Sequence, residues 1–295
     1  MAEIFGFRID NMTSEAERYR QHRLCPFNNR VPSCTKDKAN DPLGVCSIYD
    51  DNNVTITCPV RFRQDWLIAT DAAEFFFSPE KKWTALTEIR LQDRHGKSAG
   101  NIDVMLVSFD EEGKITDFGA LEVQAVYISG NIRRPFIEYM SEPLNWANLD
   151  WSTKKDYPRP DYLSSSRKRL APQLIYKGGI LNAWGRKMAV AVDSNFFATL
   201  PVLSQVPKDQ ADVAWLIYDL ESNVDKGRYK LIHSQTVYTQ FASALQRITN
   251  ADPGSERDFL KILQRKLDEK QLGSSSPPDT YSLRDLVAQD EVLEE

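Results

Sequence analysis

All four cysteines of this 295-residue chain, Cys25, Cys34, Cys46 and Cys58, fall in one short stretch near the N-terminus, and none occurs afterwards. Each sits in a turn-forming setting: Cys25-Pro26, Pro32-Ser33-Cys34, Pro42-Leu43-Gly44-Val45-Cys46 and Thr57-Cys58-Pro59. Proline and glycine stiffen such loops but bury little apolar surface, and a metal held by four thiolates would replace the missing core. In a reducing compartment disulfides are disfavoured, so the cluster reads as a tetrahedral metal site. Buried free thiols or two disulfides are the alternatives, and no pair has the C-x2-C spacing of common zinc modules.

Length and charge bound the rest. The chain can hold one large domain, or a core domain with an annex. Its 37 basic and 42 acidic side chains leave a formal net charge of -5, which argues against a nucleic-acid coat protein that is basic throughout. A DNA enzyme with a local basic cleft remains compatible. No window approaches the roughly 18 apolar residues of a membrane span, and the first residues lack the apolar centre of a signal peptide, so the expected location is the cytoplasm.

The pattern divides into three parts. Residues 1–70 read as a loop-rich segment carrying the cysteines, 71–240 as an α/β core, and 241–295 as C-terminal helices and tail. Ser78-Pro79-Glu80 has the form of a helix start, and Trp83, Leu86, Ile89 and Arg90 give a stripe that predicts a helix over 79–92. From Ile102 the period becomes two. A strand to Phe109, a turn at Asp110-Glu111-Glu112-Gly113 and a returning strand from Ile115 to Ile128 make a hairpin. A polar stretch from Asn131 to Ser166 separates this from a predicted helix over Leu170 to Arg186. Strands follow at Met188 to Asp193, Val213 to Asp219 and near Tyr229 to Tyr238, then helices at Phe241 to Ile248 and Glu256 to Gln271. Gly273 to Pro278 reads as a linker before an acidic tail. This order predicts a mixed sheet covered by helices on both faces.

Asp103 interrupts an apolar strand, while Glu122 and Gln124 lie two apart on the next and therefore project from one face. The hairpin can bring Asp103 beside Glu122. Carboxylates among Val, Leu and Ala are costly unless a cation compensates, and paired carboxylates suit Mg²⁺. Glu88 is a further candidate oxygen ligand from the preceding element, with a solvent-exposed helix glutamate as its alternative. Arg133-Arg134 and Arg167-Lys168-Arg169 are the local basic clusters suited to phosphates or guanine edges, with solvated surface runs as the alternative. Lys177-Gly178-Gly179 lacks the pattern of a phosphate-binding loop.

The set Asp103 with Glu122-Val123-Gln124 resembles the PD-(D/E)xK nuclease core in a variant with glutamine at the usual lysine position. With a four-cysteine module ahead of it, the chain resembles the NotI-type restriction endonucleases over most of residues 20–240. That resemblance implies a restriction-endonuclease-like α/β fold and a type II enzyme cutting double-stranded DNA with Mg²⁺ to leave 5'-phosphate and 3'-hydroxyl ends. It implies Asp103 and Glu122 as Mg²⁺ ligands, Gln124 at the lysine position and Glu88 as the additional carboxylate. It makes Cys25, Cys34, Cys46 and Cys58 ligands of a structural iron, although four thiolates accept zinc equally. It further implies a homodimer on a palindromic GC-rich site, CGGCCG or a longer site containing it, and a cognate methyltransferase that protects the host. The other reading is a metal-stabilised DNA-binding or interaction protein with an inactive nuclease core.

Overall fold

The computed structural model of the chain describes residues 1–28, 31–38, 40–147, 157–223 and 226–272. The linker at Gly273 to Pro278 and the acidic tail lie outside the described residues. Two compact units are present, Met1–Thr249 and Asn250–Glu295.

The first part of the chain is more ordered than its loop-rich composition predicts. Strands β1 (Glu3–Ile4) and β2 (Phe7–Arg8) precede helix α1 (Ser14–Gln21), and the hairpin β3 (Asp37–Lys38) and β4 (Asp41–Pro42) precedes β5 (Val45–Asp50) and β6 (Asn53–Ile56). These form a small sheet in the order β2-β1-β5-β6, with β3 and β4 paired separately. Its core is apolar: Met1, Ile4, Phe5, Val45 and Ile48 pack with Phe136 and Tyr139. Within it, Glu3 and Arg61 form a fully buried ion pair at 3.1 Å, completed by Ser47 and the carbonyl of Tyr229. A buried pair stripped of its hydrogen bonds would be destabilising, so each remaining polar atom is satisfied here.

Helix α2 (Leu67–Phe76) then leads into a six-stranded sheet built from β7 (Trp83–Gln92), β8 (Ser98–Phe109), β9 (Ile115–Gln124), β12 (Met188–Asp193), β13 (Val213–Asn223) and β14 (Arg228–Thr239). Between β9 and β12 lie the paired short strands β10 (Tyr127–Ser129) and β11 (Arg159–Asp161) and helix α3 (Arg133–Ser141). The sheet order is β14-β13-β12-β9-β8-β7. Only β12 runs parallel to both neighbours, β9 and β13, among the described pairings. Every residue of β12 is buried, as a central parallel strand covered on both faces requires. One face packs on α2, through Val104, Leu106, Leu121, Val123, Ala189 and Ala191. The packing is close enough that a Cβ on Gly119 would lie 2.5 Å from the Phe76 ring. The other face packs on a helical run over 162–183, whose Leu170, Leu174 and Leu181 meet Val190, Val192 and Trp215. Helices Phe241–Thr249 and Glu256–Leu272 follow, as their apolar spacing predicts.

The helix expected over 79–92 is instead the edge strand β7. Ser78 and Glu80 do bond to each other, and Lys81 N donates to Ser78 O at 3.0 Å, but this closes a local turn that no helix continues. β-Branched Thr84, Thr87 and Ile89 sit well on a pleated surface, and nine residues paired with β8 outweigh the capping signal. The returning strand ends at Gln124 rather than Ile128, because Val126 N turns to the carbonyl of Ile56 at 2.9 Å.

Candidate active site

The register of the central sheet assembles the carboxylates. Val104 pairs with Leu121, so the next position brings Asp103 opposite Glu122. Thr87 pairs with Val104 and Ile89 with Ile102, so Glu88 falls at the position of Asp103 on the other side, although the ladder skips this one pair. Glu88, Asp103 and Glu122 therefore occupy one row across β7, β8 and β9, and β12 continues it with Val190. The ladder between β8 and β9 gives way at this row. Val123 N donates to the Asp103 carboxylate at 2.9 Å, so a side chain replaces a main-chain partner.

Glu122 is fully buried. Its Oε2 accepts from Lys177 Nζ at 2.7 Å, whereas its buried Oε1 meets no donor among the described residues, and Glu122 when protonated hydrogen-bonds the Asp103 carboxylate. Burial first, and the neighbouring Asp103 second, push the Glu122 carboxyl up to about 8 against the opposing pull of Lys177. Gln124 is buried on the same face, and its amide donates to Ala125 O at 2.8 Å. An orphaned carboxylate oxygen beside a second carboxylate is a costly arrangement that a cation would relieve. The donor set fits a hard divalent ion taking oxygen ligands.

Glu88 sits on a strand rather than a helix, is exposed, and has a left-handed backbone with φ of 58°. Among the described residues, no third carboxylate, histidine or cysteine joins Asp103 and Glu122 in a metal-holding group. The residue that sequence reasoning missed is Lys177. In the sequence it stands out only beside Gly178-Gly179, a run without the phosphate-loop pattern. The available signal was its helical spacing with Leu174 and Leu181, which sets Lys177 and Gly178 on the buried face of the run.

The cysteine module has a different character. All four cysteines line one small cavity, together with Phe5, Phe27, Leu43, Val45 and Lys36. Cys34, Cys46 and Cys58 are buried and all four thiols are unpaired by disulfides. They do not converge into a ligand cluster of three or more among the described residues. Burial and the neighbouring cysteines push the Cys25 thiol up to about 11, and burial with Glu3 and Cys58 pushes Cys46 up strongly. Thiols that burial holds neutral are ones that a soft cation would convert to thiolates. Lys36 lies in the cavity wall and donates to Val45 O at 2.6 Å and Thr57 O at 3.1 Å, which leaves a fixed positive charge beside Cys34.

A sequence profile described as restriction endonuclease NotI matches residues 3–231. The chain belongs to the NotI restriction endonuclease family. No curated protein matches it. The matched span takes in the cysteine module, both carboxylates, Lys177 and all of β12 and β13. Family membership gives the chain the activity of a site-specific nuclease acting on double-stranded DNA.

With DNA as the substrate, the basic residues divide into two kinds. Arg133 is occupied within the protein: it bonds Asp41 Oδ2 at 2.5 Å, the Asp41 carbonyl at 3.0 Å and the Asp37 carboxylate, which pins α3 to the β3–β4 hairpin. Arg134 pairs with Glu138 one turn along the same helix. Arg167, Lys168 and Arg169 are exposed on the helical run, with Arg169 over the ring of the exposed Tyr127 at 5.2 Å. No helix of the described residues is long and apolar enough to cross a membrane.

Proposed function

We propose that the chain is a type II restriction endonuclease whose Asp103 and Glu122 hold a catalytic Mg²⁺ in a PD-(D/E)xK-type centre. The observation that carries this reading is the buried, unpartnered Oε1 of Glu122 beside Asp103. When bound, the ion would lower the pKa of a coordinated water and offset charge at the scissile phosphate. Asp103 is held by Val123 N so that its carboxylate stays at the sheet row, and Glu122 is fixed between the sheet and Lys177. Gln124 can donate and accept hydrogen bonds but cannot carry charge, so its share is to orient water or phosphate. Glu88 is the further candidate carboxylate, placed on β7 at the position of Asp103 by the flanking register.

In the same reading Cys25, Cys34, Cys46 and Cys58 hold a structural iron or zinc ion, supported by their shared cavity. Arg167, Lys168, Arg169 and Arg134 face the DNA, while Arg133 serves the fold first. The enzyme acts as a homodimer on a palindromic GC-rich site, CGGCCG or a longer one containing it, alongside a protecting methyltransferase. The test is plasmid cleavage by wild type and Asp103→Ala with Mg²⁺ and with EDTA. Cleavage by wild type in Mg²⁺ alone is expected, and cleavage by Asp103→Ala would overturn the assignment.

A further inference from the structure

We infer that Lys177 supplies the cation of the nuclease centre, the charge that Gln124 cannot carry, and that it acts on the scissile phosphate as well as on Glu122. The inference rests on the nuclease reading above and deepens it.

Burying a lysine is costly, and this one is buried on the sheet face, on a part of the helical run that has widened turns at Ser166–Leu170 and Leu174–Gly178. Such wide turns are frequent at functional sites. The ammonium is preset rather than mobile. Its stem passes Gly100, where an added Cβ would meet Lys177 Cε at 3.1 Å, and the next residue, Gly178, sits against Phe241 so closely that a Cβ would lie 2.6 Å from its ring. A larger residue at Gly100 would crowd the path of the lysine, and one at Gly178 would push the helical run away from Phe241 and Met188.

The division of Glu122 is the second observation. Lys177 takes Oε2 and leaves Oε1 open. An ion between Oε1 and Asp103 can therefore be bound while the ammonium stays in place. One of the three ammonium donors goes to Glu122, and the others can point to an anion brought to that ion. A phosphate held beside the ion would then meet a cation already desolvated and oriented, the arrangement that makes electrostatic stabilisation effective. A lysine that only neutralised Glu122 would become redundant once the ion arrived.

The test uses the full chain as wild type, Lys177→Met and Lys177→Arg, with melting curves to verify folding and Lys177→Gln replacing any Lys177→Met that fails to fold. Binding of a duplex carrying the mapped cut site is measured in EDTA, and single-turnover cleavage across Mg²⁺ concentrations up to saturation. Loss of the cation should weaken metal-free binding by about tenfold and lower cleavage by about 100-fold at every Mg²⁺ concentration. Lys177→Arg should recover to within about tenfold of wild type, because it keeps the charge but not the geometry. The inference is overturned if saturating Mg²⁺ restores Lys177→Met to the wild-type rate, or if Lys177→Met binds DNA in EDTA as wild type does. If wild type itself cuts nothing in Mg²⁺, the nuclease reading fails and Lys177 loses its role with it; if wild type cuts and Lys177→Met cuts equally, only the role of Lys177 fails.

Discussion

Glu122 and Asp193 are buried carboxylates on adjacent parallel strands, and the sheet treats them in opposite ways. Asp193, at the end of β12, accepts from Ile56 N at 2.9 Å, Asn195 N at 3.0 Å and Phe196 N at 3.2 Å, and so caps the short helix Ser194–Ala198 while joining β6 to the central sheet. Glu122, near the end of β9, has one donor and one orphaned oxygen. Burial raises both, Asp193 to about 7 and Glu122 to about 8. The shift alone therefore does not separate structure from function. Hydrogen-bond satisfaction does: the carboxylate with all its backbone donors supports the fold, and the one short of donors is the one the proposed reading assigns to the metal.

The largest expected effect is on activity. Glu122→Gln keeps an acceptor for Lys177 and removes the anionic oxygens, so cleavage should fall by about a thousandfold or more while the melting temperature moves by only a few degrees. If Glu122→Gln unfolded the protein, the comparison would collapse. Asp193→Ala should do the reverse. It strips three backbone donors of their acceptor and should cost about 2–3 kcal/mol in urea unfolding, with the cleavage rate of the remaining folded protein retained.

Replacing Cys46 by serine tests the third buried cluster. Its loss should lower bound metal, measured by elemental analysis, and should loosen the N-terminal module as seen by amide exchange, with Asp103 and Glu122 unperturbed. Full metal content in Cys46→Ser would remove the cysteine module from the account.

A smaller effect should appear as a function of pH. The folded pKa of Asp193 is raised, so its favourable contribution is fully present below its ordinary value near 4 and is lost as pH rises through about 7. Asp193→Asn stays neutral. The stability difference between wild type and Asp193→Asn should thus move in favour of the variant between pH 5 and pH 8, and urea midpoints that keep a constant gap would contradict it. The smallest effect is at Arg133, whose half-exposed pairs with Asp37 and Asp41 should be worth about 1 kcal/mol or less, so Arg133→Ala should lower the urea midpoint slightly.

The hairpin was legible in the sequence because alternation and an Asp-Glu-Glu-Gly turn agree with each other. The same alternation placed Glu122 and Gln124 on one face, and the apolar run of β12 announced a buried strand. Reading β7 as a helix failed because a three-residue spacing of large apolar side chains fits a helix stripe locally, whereas the edge pairing with β8 is a non-local term. The exchange of a main-chain partner for the Asp103 carboxylate at Val123, and the reach of Lys177 to Glu122 from a helix more than fifty residues later in the chain, depend on register and packing, and single-residue patterns do not carry them. The N-terminal sheet was hidden for another reason: two-residue strands such as β1 and β2 are too short to show a period.

The most direct measurement is incubation of the purified protein with fully sequenced, unmethylated phage DNA in Mg²⁺, with EDTA and Glu122→Gln controls, followed by sequencing of the product ends. Discrete fragments are expected in Mg²⁺ alone, sharing one palindromic GC-rich sequence at their ends with 5'-phosphates and 3'-hydroxyls. Intact DNA with folded protein, or cleavage that persists with Glu122→Gln, would contradict it.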